Sequence, residues 1–549
     1  MKRAPAALAG RTFDLLVVGA GIYGACIARD AARRGLSVAL VDRGDFGGGN
    51  SHNSLKIIHG GLRYLQHLDV RRLLESARER HVWLTTAPHL VRPLGSLMPT
   101  RGHGPRGPEA MRVAIRLHEV LARFAGRGLR PLSLRRGEVW DRTRAAAFFA
   151  DVPTEGLSGA ALWYDAQMQD ADRLLLGCIR DAVVHGAVAA NYVEATTLLG
   201  PEDRVEGVRA LERLDGAAFD IRARLTVNAC GPWGSALVRG RSPPLGALSR
   251  ASNIVTRQLF AEHAVAVVSR RPSDAVVGAG PRLYFVTPWQ GRSVIGTTHL
   301  PFAGDAGTRE PDEREMDETE IAEFLAELAD ALPAARLTRA DVLYAYRGLQ
   351  PAEGVQRGEV RLAHEDKVID HARQGLAGLV SVWSVKYTTA RSVAQRVVDL
   401  AAARLGGRYA DCSTAMGRLP GAAGFTDVFA LEADAAPMLG AAAGTDEARR
   451  FLTAFGTGWR DVLGAEPIAD GLDLFRRRVR HAVAAEMAVR LDDVVFRRLE
   501  HAQLGELDPE RLAAAAEALG SSLGWSAATR AARTASVAQQ LARHGAPVD

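Results

Sequence analysis

Three glycines and one acid form the first group of residues in this chain that could do chemistry. Gly19, Gly21 and Gly24 stand in a Gly-x-Gly-x-x-Gly turn, and Asp42 follows at the spacing, about twenty residues, of a ribose-binding acid. The first glycine permits the turn, the second lets a phosphate approach the backbone, and the third lets helix and strand pack closely. A pyrophosphate would sit at the helix N-terminus, with the carboxylate on a ribose hydroxyl. In a chain with 55 glycines the pattern alone means little, and its plain alternative is an ordinary strand-to-helix turn. The flanking residues decide the matter. Leu15 to Val18 is an apolar run that predicts a buried strand, Ile22 to Arg34 has helical spacing and ends at Gly35, and Ser37 to Val41 predicts a second strand ending on Asp42. Strand, helix and acid coincide, as a dinucleotide-binding opening requires.

Two further groups lie downstream. The segment GDFGGGNSHNSLKIIHGG is glycine-rich and polar. It could lie extended along a cofactor, offering backbone N–H groups and the side chains of Ser51, Asn53, Ser54 and Lys56. The alternative is a surface loop, but the apolar pair Ile57 and Ile58 favours burial. Much later, a strand from Leu379 to Trp383 leads to a turn at Lys386 and then to a long helix that Thr388 or Thr389 could cap.

The intervening elements must position these groups. Val70 to Thr86 predicts an amphipathic helix. Between Thr100 and Arg136 the chain is strongly basic, with Arg112, Arg116, Arg123 and Arg127 set among apolar residues. Such a helix either packs by its apolar face or lies on an anionic membrane surface, the first being the expectation. Ala160 to Val184 predicts a strand, a turn and a helix, and Leu225 to Val227 a short strand running into Asn228, Cys230 and Trp233. Leu283 to Thr298 predicts a hairpin turning at Gln290-Gly291. Met316 to Leu332 predicts an acidic helix with Glu318, Glu320, Glu323 and Glu327 outward. Past Gly406 the chain is alanine-rich and helical, with a boundary near 415.

At 549 residues the chain suggests two or three domains. Its composition, 47% hydrophobic and 24% charged, is that of a soluble globular protein. No run approaches the roughly 18 apolar residues of a membrane helix, and the start lacks the apolar core of a secretory signal. These features point to a cytoplasmic protein. The four cysteines have no Cys-x-x-Cys spacing, so neither a disulfide framework nor a metal site is indicated. A net charge of +6 slightly favours anionic ligands and gives no case for nucleic acid.

Taken together, DLLVVGAGIYGACIARDAARRGLSVALVDRGDF, KIIHGGLRYLQHLD, APHLVRPL, YDAQMQDADRLLL, NACGPW, FVTPWQGRSVIGTT and EMAVRLDDVVFRR resemble the FAD-dependent glycerol-3-phosphate dehydrogenase family, within the D-amino-acid-oxidase-like flavoproteins. The resemblance implies an α/β fold: a Rossmann-like FAD-binding domain in separated segments, a substrate domain with a mixed sheet, and an α-helical C-terminal domain. The segments expected are 12–100, 160–235 and 345–405 for the FAD domain, 101–159 and 236–344 for the substrate domain, and 415–545 for the helices. The implied chemistry is oxidation of a secondary alcohol by hydride transfer to flavin, which a quinone or oxygen then reoxidises. Contact with the inner face of a membrane and a homodimer are compatible with this reading. By resemblance, Gly19, Gly21, Gly24 and Asp42 match the ADP-binding positions. Ser51, Ser54, Lys56, His59, Gly60 and Gly61 match the loop beside the flavin. Arg63 and Tyr64 match substrate-contacting positions, and Lys386, Thr388 and Thr389 match the closing Lys-x-Thr-Thr motif. A lysine beside a helix N-terminus suits the negative charge of reduced flavin.

Departures from the family gather on the substrate side. Gln350 and His364 replace arginines, Asn253 replaces a histidine and His299 an aspartate. An amide holds a phosphate far less well than a guanidinium, and Arg347, at an odd offset from Gln350, should face the other way. These changes favour a substrate changed to another alcohol or an amine over glycerol 3-phosphate held in a rearranged pocket. His59 and His364 are the candidate bases. His52 stands where some distant relatives tether the flavin, although a satisfied loop histidine is the plainer reading. The rivals are a catalytically silent flavin-binding protein, an FAD-dependent amine oxidase and a nicotinamide dehydrogenase. Lys386 argues against the first, and the Lys-x-Thr-Thr motif has no role in the last.

Overall fold

A computed structural model describes residues 1–549 apart from 105–106, 130–133, 150–154, 274–279, 303–315, 357–358 and 546–549. The first sheet is organised by Thr12–Val18, which pairs in parallel with Val38–Val41 on one side and with Ala218–Asn228 on the other. Val188–Ala190 and Leu379–Trp383 extend this parallel core outward. The registers bring Val18, Val41, Asn228 and Ser381 level at the carboxyl ends of their strands. Ligands of open α/β sheets bind outside those ends, where the chain leaves a strand in both directions. All four residues of Val38–Val41 are buried, as a strand covered on both faces requires. Ile22–Arg33 and Ala390–Leu405 pack on this sheet through alanine, valine and cysteine side chains.

Among the described residues the second sheet has ten strands and is largely antiparallel. Its pairings draw Val91–Arg101, Leu157–Met168 and Val342–Gln356 together with the strands between residues 247 and 301. These pairings join the strands at the ends of the expected segments 12–100, 160–235 and 345–405 to strands of the expected segment 236–344. Gln290 and Gly291 turn the predicted hairpin with φ of 51° and 76°, the left-handed geometry that matches strand twist.

Each face of the second sheet has its own cover. Glu318–Ala331 packs Ile321, Phe324 and Leu328 against one face. This helix does not turn all its acids outward. Glu327 is buried and accepts from Ser269 Oγ at 2.7 Å, while Glu320 pairs with Arg347 at 2.9 Å. Buried polar strand residues recruit these carboxylates, which periodicity alone does not show. The other face, at Val255, Trp289, Val294, Tyr344 and Tyr346, is covered by the C-terminal helices through Phe475, Val494, Phe496 and Leu519. The basic helix Pro108–Ala125 packs by Ile115, His118 and Ala122. A second apolar ridge points outward, with Val113, Leu117, Val120 and Phe124 exposed by 69%, 46%, 66% and 57%.

Candidate active site

The glycine turn is shaped by contacts that no side chain could share. Gly19 has φ of 97°, and a Cβ there would lie 2.6 Å from Ala229 O. A Cβ on Gly24 would lie 1.8 Å from Gly19 O. At Gly21 the nearest atom to such a Cβ is Ser51 Oγ at 3.2 Å, and that hydroxyl accepts the Ile22 N–H at 2.9 Å. Ser51 thus sits at the helix N-terminus, where anions are favoured. Asp42 accepts from Ala20 N at 2.7 Å and from Gly44 N at 2.9 Å. Burial raises its carboxyl despite those bonds, and each oxygen keeps a lone pair for a ribose hydroxyl. One cavity is lined by Gly19, Gly21, Asp42, Ser51, Trp233 and Ser384, and also by Arg490, Asp492 and Arg497 from the far end of the chain. The backbone cradle and the acid fit a dinucleotide. The C-terminal contribution had no sequence signal beyond the family-like motif that contains it.

Beyond Ser51 the loop turns inward. His52 is buried, its Nδ1 2.8 Å from Asp172 and its Nε2 2.9 Å from the Gln503 amide, so the ring is satisfied by protein. Asn53 donates to Arg347 O at 2.9 Å, and Ser54 O accepts from Tyr346 OH at 2.7 Å. Lys56 is 2% exposed, donates to His52 O at 3.0 Å and stands 5.4 Å from the Trp289 ring centroid. Burial lowers its pKa. Its ammonium braces the loop from within, whereas Ser51 lines the cavity.

A second cluster forms where this loop meets the Lys386 turn. Gly60 N donates to Asp165 Oδ1 at 2.6 Å, Trp163 Nε1 donates to Oδ2 at 3.1 Å, and His59 Nδ1 lies 3.4 Å from Oδ2. Burial would raise the Asp165 carboxyl, but His59, Arg80 and the Gly60 amide outweigh it and hold it at about 2. Asp165 was missed in sequence because nothing marks the tyrosine-aspartate pair in YDAQMQDAD except position in the motif. Gly60 is required by Arg80, whose Nη1 would lie 2.1 Å from a Cβ, and Gly61 turns the chain with φ of 88°.

Lys386 and Arg63 supply the positive charge of this cluster. The Lys386 ammonium lies 4.2 Å from the Tyr64 ring centroid, while Arg72 stands 5.2 Å from the same ring. Burial and then the charge of Arg63 lower Lys386 to about 8. Neither Arg63 nor Lys386 has a carboxylate partner among the described residues. The turn is held by a half-buried carboxylate rather than by a helix cap. Asp366 accepts from Tyr23 OH at 2.6 Å, from Val385 N at 2.6 Å and from Thr389 Oγ1 at 2.8 Å. Thr389 is the residue before the helix but makes no capping bond, because its hydroxyl is committed to Asp366. Thr388 Oγ1 instead accepts the His59 N–H at 3.2 Å, tying the two loops together.

The positions that depart from the family pattern are placed as follows. Among the described residues the buried Gln350 Oε1 and Arg250 Nε have no hydrogen-bond partner. Asn253 Oδ1 accepts from Thr297 Oγ1 at 2.8 Å. Arg347 faces Glu320 on the opposite side of its strand. His364 is half-buried, its carbonyl accepts from Arg72 at 3.2 Å, and burial holds its imidazole below the usual value.

Comparison with known proteins gives consistent matches. Residues 14–400 match the family described as FAD dependent oxidoreductase, and residues 412–530 match the C-terminal domain of alpha-glycerophosphate oxidase. A Synechocystis protein named glycerol-3-phosphate dehydrogenase is 30% identical over 93% of this chain and 93% of its own length. Glycerol-3-phosphate dehydrogenase 1 of Mycobacterium tuberculosis is 32% identical over 92% of this chain and 95% of its own. The structure of glycerol-3-phosphate dehydrogenase from Bacillus halodurans complexed with FAD superposes with a TM-score of 0.74 at 25% identity, covering 99% of this chain and 97% of that one.

Proposed function

Since the chain belongs to the family of FAD-dependent oxidoreductases that contains the glycerol-3-phosphate dehydrogenases, we propose that its substrate is a secondary alcohol bearing an anionic group, oxidised between His59, Arg63, Tyr64 and Lys386. FAD is the cofactor; when bound, it supplies the hydride acceptor. The observation that carries the substrate class is the pair of cations, Arg63 and Lys386, left without carboxylate partners beside Tyr64. Arg63 is exposed and Lys386 half-buried, and holding the Lys386 ammonium partly out of water without a counter-charge is costly unless a ligand supplies one.

In this reading Arg63 and Lys386 hold the anionic group and fix the carbinol carbon in place. Asp165 engages His59 Nδ1, which leaves Nε2 to accept the hydroxyl proton as a general base. Gly60 and Thr388 fix the His59 backbone so that the ring returns to one position. The cofactor-binding residues proposed are Gly19, Gly21, Gly24, Asp42, Ser51, Ser54, Gly60, Gly61, Lys386, Thr388 and Thr389, with Lys56 bracing the loop from behind.

Anaerobic titration of the purified protein, followed through its flavin absorbance, tests the assignment. Bleaching by glycerol 3-phosphate, with no response to glycerol, is the expected result; no flavin bands at all would sink the reading. A second reading rests on Gln350, whose orphaned carbonyl oxygen cannot hold a phosphate. Bleaching by an unphosphorylated alcohol in preference to glycerol 3-phosphate would establish it.

The electron acceptor proposed is a membrane quinone. Its support is the exposed ridge Val113, Leu117, Val120 and Phe124, flanked by Arg112, Arg116, Arg123 and Arg127, a pattern suited to an anionic lipid surface. Among the described residues no helix is long and apolar enough to cross a membrane, so contact would be peripheral. Co-sedimentation with anionic but not neutral vesicles, lost in Val113→Ser/Phe124→Ser, is the expected behaviour. Equal turnover with oxygen and with a quinone analogue would remove the argument for the quinone.

A further inference from the structure

The dinucleotide cavity is completed by the C-terminal helices, and one residue there has no other employment. Tyr192 and Val193 lie against the acidic end of the cavity, where Tyr192 N donates to Gly44 O at 3.0 Å and Val193 N to Asp42 O at 2.7 Å. The turn at 487–490 is fastened onto this corner. Asn191 Nδ2 donates to Met487 O at 2.8 Å, and Asp493 Oδ2 accepts the Val489 and Arg490 N–H groups, each at 2.9 Å. The Tyr192 hydroxyl donates to the other oxygen of Asp493. Behind them Asp45 receives a two-bond fork from Arg498 at 2.8 and 2.9 Å and the Arg497 Nε at 2.7 Å.

That network neutralises Arg497 and Arg498 but not Arg490. The Arg490 guanidinium carbon lies 4.5 Å from the Tyr192 ring centroid, its Nε is buried with no partner, and it has no ion pair among the described residues. It lines the cavity together with Asp42 and Gly44. A guanidinium resting on an aromatic ring keeps its N–H edge and its outer face for an anion or a purine.

We propose that Arg490 is a cofactor-binding residue, supplied by the C-terminal helical domain, that holds the adenosine diphosphate half of FAD at the Asp42 end of the cavity. Cofactor binding and docking of the helical domain then favour each other, since a ligand that touches both must stabilise their association. The inference rests on the assignment of this cavity to FAD. Protein purified without flavin bands would count against that assignment, whereas the comparisons below test Arg490 alone.

The test uses full-length protein stripped of flavin. Arg490→Met should weaken FAD binding by about tenfold or more, the scale of one charge-assisted contact, with Arg490→Lys between it and the wild type. ADP alone should raise the unfolding temperature of the flavin-free wild type and fail to do so for Arg490→Met. FAD affinity within twofold of wild type, or an equal ADP response in both proteins, would overturn the proposal. Should the variant not fold, hydrogen exchange on the wild type decides: ADP must slow exchange at residues 487–493, and unchanged exchange there overturns the proposal.

Discussion

The Lys386 ammonium lies 4.2 Å from the centroid of the Tyr64 ring, with Arg63 close enough to oppose its charge. In the proposed reading this pair of cations receives the anionic group of the substrate. A lysine needed only for stability would be paired with a carboxylate, and none of the described residues supplies one.

Lys386→Met should therefore lower kcat by about a hundredfold or more, as loss of a charge at a reacting centre does, while the protein still purifies with flavin. The pH dependence follows from the same residue. In the flavin-free protein Lys386 is charged below a pKa of about 8, and an anion bound beside it raises that value, so activity falls as pH rises beyond it, and the variant lacks this basic limb. In the flavin-free protein the depressed pKa is a penalty at neutral pH that vanishes only above the unfolded value. Removing it should stabilise the fold, by roughly 1–3 kcal/mol, visible as a higher unfolding temperature. A variant with full activity would remove Lys386 from the chemistry.

In the proposed mechanism Asp165 acts through His59 and is a positioning residue. His59→Ala should cost about 10²–10⁴-fold in kcat, the range for a general base, and added imidazole should restore part of it. Asp165→Asn keeps the shape but loses the charge that faces His59 Nδ1. Its kcat should fall with KM for the alcohol nearly unchanged. A fall in both His59→Ala and Asp165→Asn without any imidazole rescue would make the pair structural.

The part of this site that is legible in sequence is the part built from local backbone. Gly19, Gly24 and Asp42 are placed by their spacing, since turn, helix and strand follow one another without a break. Val70–Thr86 and Leu379–Trp383 have the bounds that their apolar patterns predict. Asp165, Asp366 and Arg490 were not legible. Asp366 serves Tyr23 across 343 positions of chain, and Arg490 meets Tyr192 only after a separate helical domain has docked. The outward placement of Glu327 failed for the same reason: its partner, Ser269, lies on a strand 58 residues earlier. Long-range polar pairing leaves no periodic trace.

Gly24→Ala tests the cradle. The added Cβ would fall 1.8 Å from Gly19 O, and that carbonyl belongs to the turn itself, so the helix cannot approach the strand without moving the backbone amides proposed to hold the phosphates. The variant should purify with little or no flavin. Flavin content, read from the ratio of visible to ultraviolet absorbance after gel filtration, checks this, and a full complement would show that the turn tolerates displacement.

Acid stability should reveal the clamp between the cofactor domain and the C-terminal helices. Burial alone would raise the Asp45 carboxyl, but Arg498 and Arg497 outweigh it and bring it to about 2. Glu486, buried with Arg173, is likewise held at about 2. A carboxyl whose folded pKa is depressed contributes stability that is fully present above its unfolded value, near 3.8 for Asp45, and that is lost as pH falls toward 2. The native interface should thus hold at pH 5 and fail between about pH 4 and 2, releasing flavin as the Asp42 end of the cavity opens. Asp45→Asn should move that failure toward neutral pH and cost about 3–5 kcal/mol at pH 7, because it takes from the buried Arg498 the carboxylate of its two-bond fork and leaves Arg497 with Asp493 and Asp492 alone. Arg498→Met/Asp45→Leu, which removes the fork from both sides, should recover part of the loss. Coincident flavin release and loss of helical signal across the pH series would support the clamp, and flavin retained at pH 2.5 by an intact fold would refute it.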